Sequence, residues 1–342
     1  ILFAMLIAAP AVQAENLFDW LQTASKSKKQ KQAEAMPADH AVLLTLEPQE
    51  SEMYPKLSSD GRSMLVTTEK GKHSWVSRRA VENGDPLNVV TDDVRALDSA
   101  RWHNGSVTFL SKRTGGLGLW KKAADGQGIV RRVKELQGQL TQVHLLEDGS
   151  VIAVRLESTG RTKKKARTKH DSFNNWQVSG YKIQIIHVDP FGKERVLSEG
   201  SNPALSRDRE WLIFSMPVGR SSHLFMMRVD GSELSQLTDE RSIDVQPVWS
   251  ADGKWIVFTS NRAKSDMRKP GNNNWDIWAV DREGRNLTQL TMDKARDGAP
   301  SVGADNRVYF HSDRKISSEL KKEHQIKGRV GSFHIWSVPL EN

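Results

Sequence analysis

Apolar residues in this chain come in short bursts, not in helical stripes. SMLVTT (63–68), SVTFLS (106–111), SVIAVR (150–155), WLIFSM (211–216), WIVFTS (255–260) and RVYFHS (307–312) are six-residue runs rich in β-branched and aromatic side chains. Runs of this length next to turn residues predict buried strands. The turns just ahead of them are Asp60-Gly61, Asn104-Gly105, Asp148-Gly149, Asp208-Arg209, Asp252-Gly253 and Asp305-Asn306, at intervals of 44, 44, 60, 44 and 53 residues. One unit of 44 residues therefore recurs six times, with inserts of 16 and 9 residues after the third and fifth turns. Asp-Gly and Asn-Gly favour the positive φ of two-residue hairpins, so a tight hairpin is expected at each turn.

A third strand follows in each unit, marked by Trp75, Trp120, Phe225, Trp278 and Trp336, with Ile185 and Ile186 in the third unit. Turns such as Asn83-Gly84, Asp125-Gly126, Asp230-Gly231 and Glu283-Gly284 lead into a fourth. Four strands per unit, repeated at this period, predict an all-β six-bladed β-propeller. The last unit ends at Pro339-Leu340, one strand short. The run 41–46, AVLLTL, precedes the first unit and is expected to pair with 333–340, closing the ring and covering two edges.

Residues 1–14 are uncharged and mostly apolar and end in Val12-Gln13-Ala14, the pattern of a cleaved signal peptide. Residues 15–40 read as a short amphipathic segment around Leu17, Phe18, Trp20 and Leu21, followed by a flexible basic linker. The propeller is expected over 41–342. No other stretch approaches the roughly 20 apolar residues of a membrane span, so an exported, periplasmic protein is expected.

Three segments carry a family resemblance: Phe109 to Trp120 (FLSKRTGGLGLW), Gln246 to Arg262 (QPVWSADGKWIVFTSNR) and His311 to Arg314 (HSDR). They resemble the repeats of the TolB-type periplasmic propeller family, over about residues 41 to 342. The resemblance implies a six-bladed propeller that binds other proteins or envelope polymers. TolB carries an α/β domain ahead of its propeller, and the 26 residues from Glu15 to His40 are too few for one, so the propeller is expected without it.

Candidate chemistry narrows the function classes. The chain has no Cys, which excludes thiolate nucleophiles and Cys-ligated metals. It has no Gly-x-Ser-x-Gly, His-Glu-x-x-His or phosphate loop. His73, His223 and His334 each stand two residues before the third-strand aromatic, where the fifth unit has Asp276; the repetition points to structural hydrogen bonding more than to metal ligation. No catalytic residue, metal or cofactor is expected.

Charge adds a direction. Lys and Arg number 50 against 42 Asp and Glu, for a net +8. Three segments between second and third strands concentrate the excess: 161–169 (Arg161, Lys163, Lys164, Lys165, Arg167, Lys169) at +6, 262–269 (Arg262, Lys264, Arg268, Lys269, against Asp266) at +3, and 314–329 (including Arg314, Lys321 and Lys322) at +4. Equivalent loops of a propeller leave on one face, so a basic face is expected, with Trp176 and Trp275 either stacking on sugar rings or buttressing their own loops. Such a face attracts anions. The sequence thus predicts a non-catalytic binding propeller for an acidic envelope protein or an anionic polysaccharide. The alternative is a glycan-binding or lyase-type enzyme with its site at the channel mouth. Nucleic acid is not expected, since no recognition helix or RNA-binding signature is present.

Overall fold

A computed structural model describes residues 39–93, 98, 100–160, 180–264, 267 and 274–340. The signal peptide and linker expected over 1–38 lie outside the described residues. The strands form six antiparallel four-stranded sheets, the blades of a propeller. Blade 1 comprises Ser51–Leu57, Ser63–Lys70, His73–Ala80 and Pro86–Thr91; blade 2 comprises Arg101–His103, Ser106–Thr114, Gly116–Ala123 and Arg131–Leu136. Blade 3 comprises Leu140–Leu145, Val151–Ser158, Tyr181–Val188 and Glu194–Glu199; blade 4 comprises Ser201–Leu205, Trp211–Val218, Ser221–Arg228 and Ser235–Gln236. Blade 5 comprises Asp244–Trp249, Trp255–Ser260, Asp276–Asp281 and Thr288–Gln289. Blade 6 takes Asp297–Val302, Arg307–Ser312 and His334–Pro339 from the end of the chain, and Val42–Leu43 from its start.

The closing strand pairs as the sequence predicts, Val42 with Ser337 and Leu43 with Trp336. The amide of Leu44 extends the ladder onto the carbonyl of Ile335 at 2.8 Å. Leu43 and Leu46 then bury against Trp336, Val338 and Leu340. Asp39 fastens the strand from outside: its carboxylate accepts the amides of Ala41 and Met292, each at 2.9 Å, and pairs with Arg314 at 2.8 Å.

The core is divided among the blade interfaces. Separate clusters of buried apolar side chains join blades 1 and 2, 2 and 3, 3 and 4, 4 and 5, 5 and 6, and 6 and 1. Near the starts of first and third strands, backbone bonds stitch neighbouring blades together: Ser222 N to Ser242 O at 3.1 Å, Asp297 N to Trp275 O at 2.8 Å, and Glu52 N to Phe333 O at 2.8 Å.

The turns differ in detail from the expected tight hairpins. Only Asn104-Gly105 has both residues at positive φ between paired strands, 47° and 69°. At Asp60, Asp208 and Asp252 the loop is longer, closed from Ser58 N to Ser63 O, from Ser206 N to Trp211 O and from Ser250 N to Trp255 O. The reason is the aspartate itself. Its side chain accepts the Ser hydroxyl two residues back and the amide two residues on, as at Asp252 from Ser250 (2.6 Å) and Lys254 (3.1 Å), forming an Asx turn. The same hydroxyl bond, followed by the amide bond, holds the carboxyls of Asp60 and Asp208 below their ordinary range.

Candidate functional site

The basic inserts leave after the second strands, at the end of the propeller where the first strands begin. Of the residues expected on this face, Arg161, Lys163, Lys164, Lys165, Arg167, Lys169, Trp176, Arg268 and Lys269 lie outside the described residues. Lys264 ends a single 3-10 turn, Arg262–Lys264. In blade 6 the insert folds into a short helix, α1 (Ser318–Glu323), which the sequence reading did not anticipate. Ser317 caps it by accepting the amide of Leu320 at 3.1 Å. Ile316, Leu320, Ile326 and Val330 pack onto the core of blades 5 and 6, so the charged residues are turned outward. Lys322 is exposed, and the partly buried Lys321 reaches the carbonyl of Gly328 at 3.3 Å.

Two of the expected binding arginines are structural instead. Arg262 is 2% exposed and pairs with the fully buried Asp244 at 2.6 Å; Arg314 is 8% exposed and pairs with the fully buried Asp297 at 2.6 Å. Blade 2 repeats the arrangement with Arg113 and Asp93 at 3.0 Å. In each case the Arg follows a second-strand Ser by two residues, and its guanidinium lies over two aromatic rings of its own blade: Phe109 and Trp120, Phe258 and Trp278, Phe310 and Trp336. In blades 5 and 6 the buried acid draws the cation inward, whereas Asp93 of the blade 2 pair is 31% exposed; the ring faces favour the cation in all three. Burial alone would pull Arg314 down, but Asp297 and Asp39 outweigh it and hold the guanidinium above its ordinary value. With Arg262 and Arg314 withdrawn, the three segments present +11 in place of +13. Trp275 is likewise fully buried, against Ile243, Val245, Met267 and Phe333, so its ring buttresses the base of its loop and is closed to a sugar.

The third-strand position occupied by His in three blades does not form one repeated bond. His73 is exposed. His223 is buried beside Asp244 of the next blade, its Nδ1 without a hydrogen-bond partner among the described residues, and burial holds its pKa down. His334 Nε2 lies 3.2 Å from the carbonyl of Gly331, and Nδ1 lies 3.6 Å from Glu52. Asp276, the fourth member, is fully buried; burial, reinforced by Asp297, pushes its pKa up to about 8. Among the described residues no group of three or more His, Asp or Glu could hold a metal ion.

At the other end of the channel is a cluster the sequence reading missed. A cavity of 260 Å³ is walled by the later halves of the first strands, among them Pro203, Pro247, Val248, Trp249 and Pro300. Lys56, Asp98, Arg101 and His144 meet there. Asp98 lies 3.4 Å from Lys56 and 3.0 Å from Arg101. Burial alone would raise Asp98, but the two cations hold it at about 2, and burial lowers Lys56. The four groups come from three different blades, so no local motif announces them. The one signal was the Pro repeated in the first strands at 55, 203, 247 and 300, next to positions that face the channel.

Fold and site together define a six-bladed β-propeller with a small mixed-charge cavity in its channel. The propeller is TolB-like. Over 139 residues the chain is 22% identical to the Tol-Pal system protein TolB of Francisella tularensis, a match covering 40% of this chain and 30% of that protein. It is 39% identical to Dipeptidyl-peptidase 5 of Porphyromonas gingivalis over 75 residues, 20% of this chain and 11% of that protein. A structure described as a TolB of Agrobacterium tumefaciens superimposes with a TM-score of 0.51 at 19% identity, covering 70% of this chain and 80% of that one. At that identity the likeness is one of fold. The chain spans about a third or less of the length of these curated relatives. No protein-family model matches it.

Proposed function

We propose that this protein is an exported, periplasmic binding propeller, directed there by residues 1–14, and that its insert face engages an acidic envelope protein or an anionic envelope polysaccharide. The observation that carries the reading is the concentration of charge: with the structural arginines set aside, the three insert segments still hold +11 in a chain of net +8, leaving the rest of the molecule net acidic. A field polarised in this way steers anions to one surface. The blade 6 insert supports it, since Lys315, Lys322, Lys327 and Arg329 are exposed around an anchored helix. The likeness to TolB, named for the Tol-Pal system, agrees with a binding role. No helix of the described residues is long and apolar enough to cross a membrane. Titration of the full chain with poly-L-glutamate and with alginate tests the proposal. Saturable binding that weakens steeply with salt is expected, and no binding to either polyanion at low salt contradicts it.

A further inference from the structure

Blade 1 departs from a pattern that the other tryptophan-bearing blades share. Trp120, Trp278 and Trp336 are buried, each under the guanidinium of Arg113, Arg262 or Arg314. Trp75 instead pairs across to Thr68, the register that blade 5 gives to Asp276 opposite Ser260 and blade 6 to His334 opposite Ser312. Its ring therefore stands two residues nearer the insert end. The second-strand position of those arginines holds Lys70, which pairs with Glu50 at 3.2 Å. Trp75 is left partly exposed, with no cation over its ring among the described residues. It lines an open cavity of 570 Å³ together with Lys72, His73, Ser74, Val89, Asp92 and Asp93. That volume lies within the roughly 300–1,000 Å³ of small-molecule sites.

The charges around the cavity cancel. Asp92 and Asp93 are opposed by Lys72 and by Arg113, which pairs with Asp93 at 3.0 Å. Neither an anion nor a cation is the electrostatic complement, so the ligand is neutral. Hydrogen bonding is what the lining offers. Asp92 is exposed and forms no hydrogen bond or ion pair among the described residues. On Asp93, Ser111 Oγ (2.5 Å) and Arg113 Nε (3.0 Å) both use Oδ2, which leaves Oδ1 accessible and unbonded among the described residues. Carboxylate oxygens are strong acceptors for neutral hydroxyls, and Lys72 and Ser74 supply donors.

A ligand that is apolar on one face and hydroxylated around its rim matches both parts of this lining. The face of an indole ring is electronegative, so C–H bonds pack onto it, and Val89 adds aliphatic surface. The platform is also preorganised: the ladder pairs Lys70 with His73 and Thr68 with Trp75 on one side, and Val76 with Thr91 on the other. Side chains fixed in this way lose little entropy on binding.

We propose that this cavity is a subsite for a neutral hexopyranose ring, stacked on Trp75 with its hydroxyls donating to Asp92 and Asp93. It takes no anion, so it is independent of the insert-face reading. The experiment uses the full chain labelled with 15N-tryptophan, with the Trp75 indole signal assigned through Trp75→Phe. The probes are methyl β-D-glucopyranoside, whose ring hydroxyls are all equatorial and leave bare C–H faces, arginine amide as a cation and sodium acetate as an anion. The glucoside is expected to shift the Trp75 signal saturably, and the two ions are expected to leave it in place. Asp92→Ala, at an exposed position, should weaken glucoside binding about tenfold by removing one strong acceptor. Trp75→Ala should abolish saturation transfer from the protein to the glucoside. Both variants should bind poly-L-glutamate as the wild type does, which separates the failure of this site from the failure of the insert face. No saturable shift with the glucoside, a saturable shift with arginine amide or acetate, or wild-type glucoside affinity in Asp92→Ala overturns the proposal.

Discussion

Removing the Arg262 side chain leaves Asp244 fully buried with its cation gone and, among the described residues, the hydroxyls of Ser242 and Ser260 to bond it. Breaking a buried pair in this way costs about 3–5 kcal/mol, so Arg262→Ala is expected to lower the free energy of unfolding by that amount in a denaturant titration. Lys322→Ala, at an exposed position, is expected to stay within about 0.5 kcal/mol. Equal stability of the two variants would return Arg262 to the binding face. Asp276 gives a pH signature. Its folded pKa, about 8, lies above its ordinary 3.8, so between these values the folded state holds a proton that the unfolded state has lost, and stability falls as pH rises through that window. Asp276→Asn mimics the protonated form and is expected to flatten the slope, gaining up to about 1.4 kcal/mol per pH unit over the wild type from pH 4 to 8. Parallel pH profiles of the two proteins would contradict the assignment. Neither residue announced this role in the sequence. Arg262 sits in a run of basic residues and reads as one of them, because the acid that captures it is 18 positions away.

At the scale of the element, the closing strand depends on Asp39 more than its two paired residues suggest. That carboxylate holds the amides of Ala41 and Met292 and joins Asp297 on Arg314, linking the start of the chain to blades 5 and 6. Asp39→Ala is expected to weaken local closure by about 2 kcal/mol, because two amides and part of a guanidinium lose an ionised partner. Amide exchange of Leu44 and Ile335 should accelerate while that of Ile213 and Phe214 in blade 4 stays as in the wild type; uniform acceleration would mean that the clasp acts on the whole ring. The strand itself was legible, since AVLLTL occupies the place of the missing blade strand. The shapes of the turns were less so. Asp-Gly fits both a two-residue hairpin and an Asx-closed loop, and the choice falls to Ser58, Ser206 and Ser250, whose hydroxyls reach back into the turn. Helix α1 escaped notice because it has only six residues, and its Ser317 cap lies within a lysine-rich loop.

For the whole molecule, the repeat was the legible quantity. Six turns at a common period place six blade interfaces, and each interface builds a small apolar core from neighbouring second and third strands. The channel cluster was not legible. A ring brings together residues as distant as Lys56, Asp98 and His144, and spacing along the chain carries no trace of that convergence. The same ring sets the two ends apart, with inserts at one and the cavity at the other, so a binding surface can be assigned to an end by charge changes alone. Two variants of equal charge change make the most direct test. One neutralises Lys163, Lys164, Lys165 and Arg167 on the insert side, and the other neutralises Lys193, Arg207, Lys254 and Arg285, exposed in the turns at the opposite end. The measurement is the affinity of each for poly-L-glutamate across a range of salt concentrations. The insert variant is expected to lose affinity, most of all at low salt, and to show a shallower salt dependence, while the opposite-end variant keeps both close to wild type. Equal losses in the two variants, or no loss in the insert variant, would contradict the account.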